Sequence, residues 1–223
     1  MHAQRTETRP GRAGEATSSV VWCGSPFNPV KDAPLDSKQS LLDLFTTVNS
    51  SEAPLSTFQR VLLMTDGTVT DVLEAYADEP VKVVKLAQWF DDVEPGRPEL
   101  ERPTTERVLR RSVLLRGALT GRNLLYADSV VTPKHLHPDV VEGLLESDRP
   151  LGRLLAKYRV ETFREIVAVG FEPAGSCAQH FGVDPAEKLV FRTYRILVDQ
   201  RPVVRVTEKF PVTWFAATVG GAE

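Results

Sequence analysis

The stretch from Glu187 to Val212, EKLVFRTYRILVDQRPVVRVTEKFPV, constrains this chain more than any other. Two runs rich in Val, Phe, Thr and Tyr, residues that suit a pleated backbone, are separated by DQRP alone. Parallel strands need a crossover of roughly a dozen residues or more, so two strands this close in sequence must pair antiparallel. A second pair repeats the arrangement: ERVLRRSVLLRG and NLLYADSVVTP flank ALTGR, a turn of hairpin length. VKVVKLAQWF and ETFREIVAVGF read as further strands. Helical patterning lies early, in SKQSLLDLFTTV (apolar side Leu41, Leu42, Leu44 and Phe45), LSTFQRVLLM and TDVLEAYA. It returns between the strands in PDVVEGLLESD and the short GSCAQHFGV, while RPLGRLLAKYR crosses back toward the second group of strands. Asp66-Gly67 in TDGT permits a sharp reversal between two early helices, and Thr68 or Thr70 is placed to cap the second. Backbone amides are then left free at that helix's start. Hairpin-paired strands with helices grouped before and between them give an α+β fold, a mainly antiparallel sheet with helices packed on it.

The chain has 223 residues, 42% hydrophobic and 26% charged, enough for one sizeable core. Residues 1–35 are polar and then broken by prolines, and read as a disordered or extended arm; residues 36–223 read as a single domain. A net charge of −3 offers no basic surplus for nucleic acid or an anionic membrane. Cys23 and Cys177 are too few for a disulfide framework. No apolar run approaches the roughly 18 residues of a membrane span, so a cytoplasmic protein without membrane or nucleic-acid partners is expected.

Alternation along RPVVRVTEKFPV puts Val204, Val206, Glu208 and Phe210 on one face and Arg205, Thr207 and Lys209 on the other. A carboxylate on an apolar face must be paired, protonated or functional. In RVLRRSVLL, Arg111 shares a face with Leu109, Val113 and Leu115, and a guanidinium cannot shed its charge. One reading is a structural salt bridge between Arg111 and Glu208. The other is a small pocket in which Arg111 grips a ligand carboxylate and Glu208 faces a hydroxyl or a moving proton. Asp128, on the Leu124, Tyr126 and Val130 face, is a second candidate buried acid. His135 and His137 in HLHP read as loop or capping residues, because no third metal ligand is signalled nearby. Cys177 with His180 reads as a half-buried helix pair rather than a nucleophile.

LLMTDGTVTDVLE, RRSVLLRG with YADSVV, SDRPLGRLL, ETFREI and RPVVRVTEKFPV occur in an order and spacing that resemble the chorismate pyruvate-lyases, in their actinobacterial and archaeal branch. The resemblance spans Leu55 to Trp214. It implies a mainly antiparallel sheet enclosing a small-molecule pocket, a fold also used by the ligand-binding half of GntR-type regulators. It further implies conversion of chorismate to 4-hydroxybenzoate and pyruvate, with no cofactor and no metal. Arg111 falls on the family's carboxylate-binding arginine and Glu208 on the glutamate that meets the 4-hydroxyl end. Pocket amides fall in the TDGT loop at Gly67 and Thr68, and at Leu151. The chain departs from the enterobacterial form at Asp128, where that form carries an arginine. Two alternatives follow from the same resemblance: a non-catalytic module binding an aromatic acid, or a lyase for a relative such as the 4-amino analogue. The first 55 residues are too short and too poor in basic helix for the DNA-binding domain that regulators of this fold carry, which favours an enzyme.

Overall fold

The computed structural model describes residues 55–92 and 107–216. The expected arm of residues 1–35, the SKQSLLDLFTTV helix and Cys23 lie outside these residues.

Helix α1 (Thr57–Met64) starts in a capping box: Ser56 Oγ accepts the Gln59 amide at 3.1 Å, and Gln59 Oε1 accepts the Ser56 amide at 2.8 Å. Gln59 Nε2 points inward and donates to the carbonyls of Val212 and Trp214 at 2.7 and 2.8 Å. That buried amide fastens the first described helix to the end of the last strand. Helix α2 (Val69–Ala77) follows TDGT with Thr68 as its N-cap residue. The Thr68 hydroxyl makes no capping bond, and Thr70 lies buried inside the helix, so the expected threonine cap is present in position only. Helix α3 (Pro138–Glu146) begins at Pro138, and His137 accepts the Asp139 amide at 3.3 Å. RPLGRLLAKYR, which crosses back between the two groups of strands, forms helix α4 (Leu151–Lys157). Leu154 and Leu155 are both buried, and that apolar side is enough to dock so short a helix. Helix α5 (Ala178–Phe181) stops at Gly182, whose φ of 68° is a left-handed C-terminal geometry.

The strands are β1 (Val81–Asp92), β2 (Arg107–Gly117), β3 (Asn123–Val131), β4 (Phe163–Pro173), β5 (Lys188–Val198) and β6 (Arg201–Pro211). They form one six-stranded sheet in the order β1-β2-β3-β6-β5-β4, antiparallel throughout. Each half is a meander, and β3 and β6 join the halves edge to edge. DQRP makes the hairpin expected of it: Asp199 (φ 49°) and Gln200 (φ 62°) are both left-handed, the twist that a two-residue hairpin turn requires.

Two apolar clusters tie helices to one face of the sheet. Leu62, Leu63 and Leu73 of α1 and α2 pack with Val83, Leu115, Leu125 and Phe210. Val140, Leu144 and Leu154 of α3 and α4 pack with Val131, Ile196 and Val204. Burial of each such side chain contributes about 1.5–3 kcal/mol. On the other face α5 covers Leu114, Tyr126 and Leu189. There Asp128 accepts from Ser112 Oγ at 2.6 Å and from the Tyr126 hydroxyl at 2.7 Å. Lys209, on that same face, is 1% exposed and paired with Glu172 at 2.6 Å. Alternation therefore sorted the faces of β6 correctly, but the second face is itself largely covered. No described helix is long and apolar enough to cross a membrane.

Candidate functional site

The seam between the two helix-packed clusters holds a pocket of about 600 Å³, counting its open mouth. Its floor is the sheet, with Val113, Ala127, Val206 and Ile196. Its roof is the TDGT loop, the start of α2, and Pro150, Leu151 and Gly152 at the start of α4. Gly67, Thr68, Arg111, Leu151 and Glu208, singled out in the sequence, all line it. Asp128, His135, His137, Cys177 and His180 do not.

Arg111 and Glu208 do not form the salt bridge considered above. They stand on β2 and β6, with β3 between them. Arg111 lies opposite Ser129, whereas Glu208 lies opposite Arg192 on β5. Arg192 Nε donates to Glu208 Oε2 at 2.6 Å, and the Tyr194 hydroxyl donates to Glu208 Oε1 at 3.0 Å. Arg192 Nη1 also donates to the Thr65 carbonyl at 2.8 Å, so one guanidinium ties the TDGT loop to the glutamate. Burial of Arg192 opposes its charge, but Glu208 outweighs this and strengthens its hold on the proton. Burial, reinforced by Glu208, raises the Tyr194 phenol well above its ordinary range, so it stays a donor. Glu208 is thereby fixed as an acceptor with both oxygens oriented.

Arg111 is the opposite case. It is 3% exposed, yet its Nε has no hydrogen-bond partner among the described residues. Its Nη2 reaches only the Arg149 carbonyl, at 3.5 Å. Burial weakens its hold on the proton, and Asp148 offsets this electrostatically. Asp148 itself lies 3.9 Å from the Lys85 ammonium. A buried guanidinium with unmet donors facing a pocket is a seat for an anion. The start of α2 adds to it. Among the described residues the amides of Thr68, Val69 and Thr70 meet no acceptor, as at any helix start. The Gly67 amide is different, because Thr65 Oγ1 accepts it at 3.1 Å.

A family model described as chorismate pyruvate-lyase, Rv2949c-like, matches residues 63–217. The chain is 33% identical over 152 residues to a chorismate pyruvate-lyase of Mycobacterium leprae, covering 68% of this chain and 72% of that one. It is 33% identical over 156 residues to a chorismate pyruvate-lyase of Mycobacterium tuberculosis, covering 68% and 78%. This chain belongs to the chorismate pyruvate-lyase family. The fold recurs in solved structures at much lower identity. PhnF from Mycobacterium smegmatis superposes with a TM-score of 0.53 at 11% identity, over 66% of this chain and 65% of that one. The effector domain of PhnF gives 0.53 at 11%, over 66% and 90%.

Within this member of the chorismate pyruvate-lyase family, sequence reasoning missed Arg192, Tyr194 and Arg164. The first two carried the same signal as Glu208. Val190, Arg192, Tyr194 and Ile196 alternate onto the apolar face of β5, and all four are buried. The partnership with Glu208 needed the β5–β6 register, which the turn length sets but which alternation alone does not reveal. Cys177 and His180 sit on the far face, where His180 stacks on Tyr126 with centroids 5.7 Å apart. Among the described residues no group of three His, Cys, Asp or Glu converges as a metal site.

Proposed function

We propose that this protein cleaves chorismate to 4-hydroxybenzoate and pyruvate in the pocket between α2, α4 and the sheet. The observation that carries the reading is the polarity of that pocket. One part presents a buried cation without a carboxylate partner, Arg111, and another presents an oriented acceptor, Glu208. Membership of the chorismate pyruvate-lyase family supports the same substrate class.

Arg111 and the amides at the start of α2 hold the ring carboxylate, which fixes the ring over the sheet. Glu208 then faces the carbon that bears the ring hydroxyl and removes its proton. The released electron pair completes the aromatic ring as the ether C–O bond breaks. The leaving group departs as the enolate of pyruvate and takes up a proton at its methylene carbon. Atoms balance without any co-reactant, and aromatisation drives the step. Arg192 and Tyr194 keep both oxygens of Glu208 aimed throughout.

The test follows pyruvate and the aromatic product together when purified protein meets chorismate. Equal amounts of pyruvate and 4-hydroxybenzoate are expected. Glu208→Gln keeps a hydrogen-bonding shape but loses the base, so turnover should fall by roughly 10²–10⁴-fold while 4-hydroxybenzoate still binds. Tight binding of 4-hydroxybenzoate by the wild-type protein with no turnover would instead make it a binding module.

A further inference from the structure

Arg164 enters the same pocket from β4 and takes no part in the mechanism above. Its Nη1 donates to the Asp66 carbonyl in the TDGT loop. Its Nη2 lies 3.6 Å from where a β-carbon on Gly152 would stand, which puts it beside the start of α4. Among the described residues no carboxylate pairs with it, and the Asp66 carbonyl is its one hydrogen-bond acceptor. It lies close enough to Tyr194 to act electrostatically on that phenol, whose hydroxyl meets Glu208. On the sheet Arg164 lies opposite Ile196 of β5, two strands from Glu208 on β6 and four from Arg111 on β2, so it belongs to the Glu208 side of the pocket.

The charges decide what this cation is for. Glu208 is neutralised by Arg192, which leaves two cations facing the pocket without a carboxylate, Arg111 and Arg164. An aromatic monoacid product answers only one of them. A ligand with two carboxylates answers both. A β-carbon at Gly152 would come within 3.1 Å of Thr68 Oγ1 and Cγ2, so glycine lets the starts of α2 and α4 approach closely beside Arg164.

We propose that Arg164 binds the second carboxylate of the substrate, the one that departs with pyruvate, in a subsite bounded by the TDGT loop and Gly152. This rests on the chorismate-cleaving reading of the pocket. Holding the enol ether there orients the breaking C–O bond away from Arg111 and beside Glu208. Once that bond breaks, the aromatic product keeps only its Arg111 anchor.

The experiment compares two ligands by calorimetry: 4-hydroxybenzoate, and its analogue carrying a carboxymethyl ether next to the hydroxyl. Arg164→Gln is the main variant, because glutamine can still donate to the Asp66 carbonyl and keep the loop in place. A thermal melt checks that it folds, and Arg164→Lys serves as the charge-retaining control. The dicarboxylate should bind Arg164→Gln about 10- to 100-fold more weakly than it binds wild type, the usual worth of a hydrogen-bonded charge pair. The monoacid should be unaffected, KM for chorismate should rise with the dicarboxylate, and lysine should recover part of the loss. Equal weakening of both ligands, or of neither, overturns the subsite even if chorismate is cleaved. A selective loss for the dicarboxylate with no chorismate turnover by wild type upholds the subsite and overturns the cleavage reading instead.

Discussion

Arg111 and Arg192 are both nearly sealed from solvent, at 3% and 2% exposure, yet the fold needs only one of them. Arg192 neutralises Glu208 and anchors the Thr65 carbonyl. Arg192→Ala leaves a carboxylate buried beside a neutral phenol, at a cost of about 3–5 kcal/mol, and denaturant melts should show it. Arg111 has no such partner, so Arg111→Ala relieves a desolvated charge and should leave stability unchanged or improved. Its loss should appear in binding: 4-hydroxybenzoate affinity should fall by about 1.5–3 kcal/mol, measured by calorimetry. Arg111→Lys should recover only part, since an ammonium cannot reproduce a planar fork. Unchanged affinity in Arg111→Ala would remove this residue from the site. At this scale alternation was informative, because an ionised side chain among Leu and Val is visible in sequence. Alternation does not say whom the charge meets, and it suggested Arg111 for Glu208 where the register supplies Arg192.

Among the elements, the β2–β3 turn shows how one carboxylate organises a hairpin. Glu79, just after α2, accepts from the Thr120 hydroxyl at 2.6 Å and from the amides of Leu119 and Thr120 at 2.6 and 3.0 Å. These bonds, the Thr120 hydroxyl's first, hold its carboxyl below the ordinary value of 4.5. A depressed value in the folded state means the stabilisation is fully present above pH 4.5 and is lost as pH falls through the lower, folded value. Glu79→Gln should therefore lower the melting temperature at neutral pH and flatten its decline on the acid side. An acid limb identical to wild type would show that Glu79 does not govern the turn. Gly117 makes the same point by space: a β-carbon there would stand 2.3 Å from Glu79 Oε1. Gly117→Ala must push that carboxylate off the turn, and the melt should resemble that of Glu79→Gln. ALTGR announced a hairpin in the sequence, but nothing local announced that Glu79, far along the chain, would staple it.

Across the whole molecule, the pocket is the place where two separately packed halves meet. One cluster joins α1 and α2 to the sheet, the other joins α3 and α4, and the starts of α2 and α4 close over the seam. A ligand seated there touches both halves and binds only the folded state. Saturating 4-hydroxybenzoate, at about 100 times its dissociation constant, should add roughly 2.7 kcal/mol of stability. Differential scanning should show a raised melting temperature in wild type and little change in Arg111→Ala. An equal rise in both would place the ligand somewhere other than this seam.

The sequence by itself determined the two antiparallel hairpins at the heart of the sheet, since turns as short as DQRP and ALTGR allow no other pairing. It also determined which charges lie on apolar faces, because strand periodicity is a local property of the backbone. The family resemblance, carried by motifs spread along the chain, named Gly67, Thr68, Arg111, Leu151 and Glu208, and the fold brings all five to one pocket. Only the tertiary structure decided that Arg192 rather than Arg111 neutralises Glu208, and that Arg164 reaches the pocket across the sheet. It also decided that Asp128 belongs to the opposite face. The physical reason is register and strand order: the β5–β6 register sets Arg192 opposite Glu208, the sheet order sets β4 beside β5, and β3, far from β6 in sequence and adjacent only in space, stands between Arg111 and Glu208.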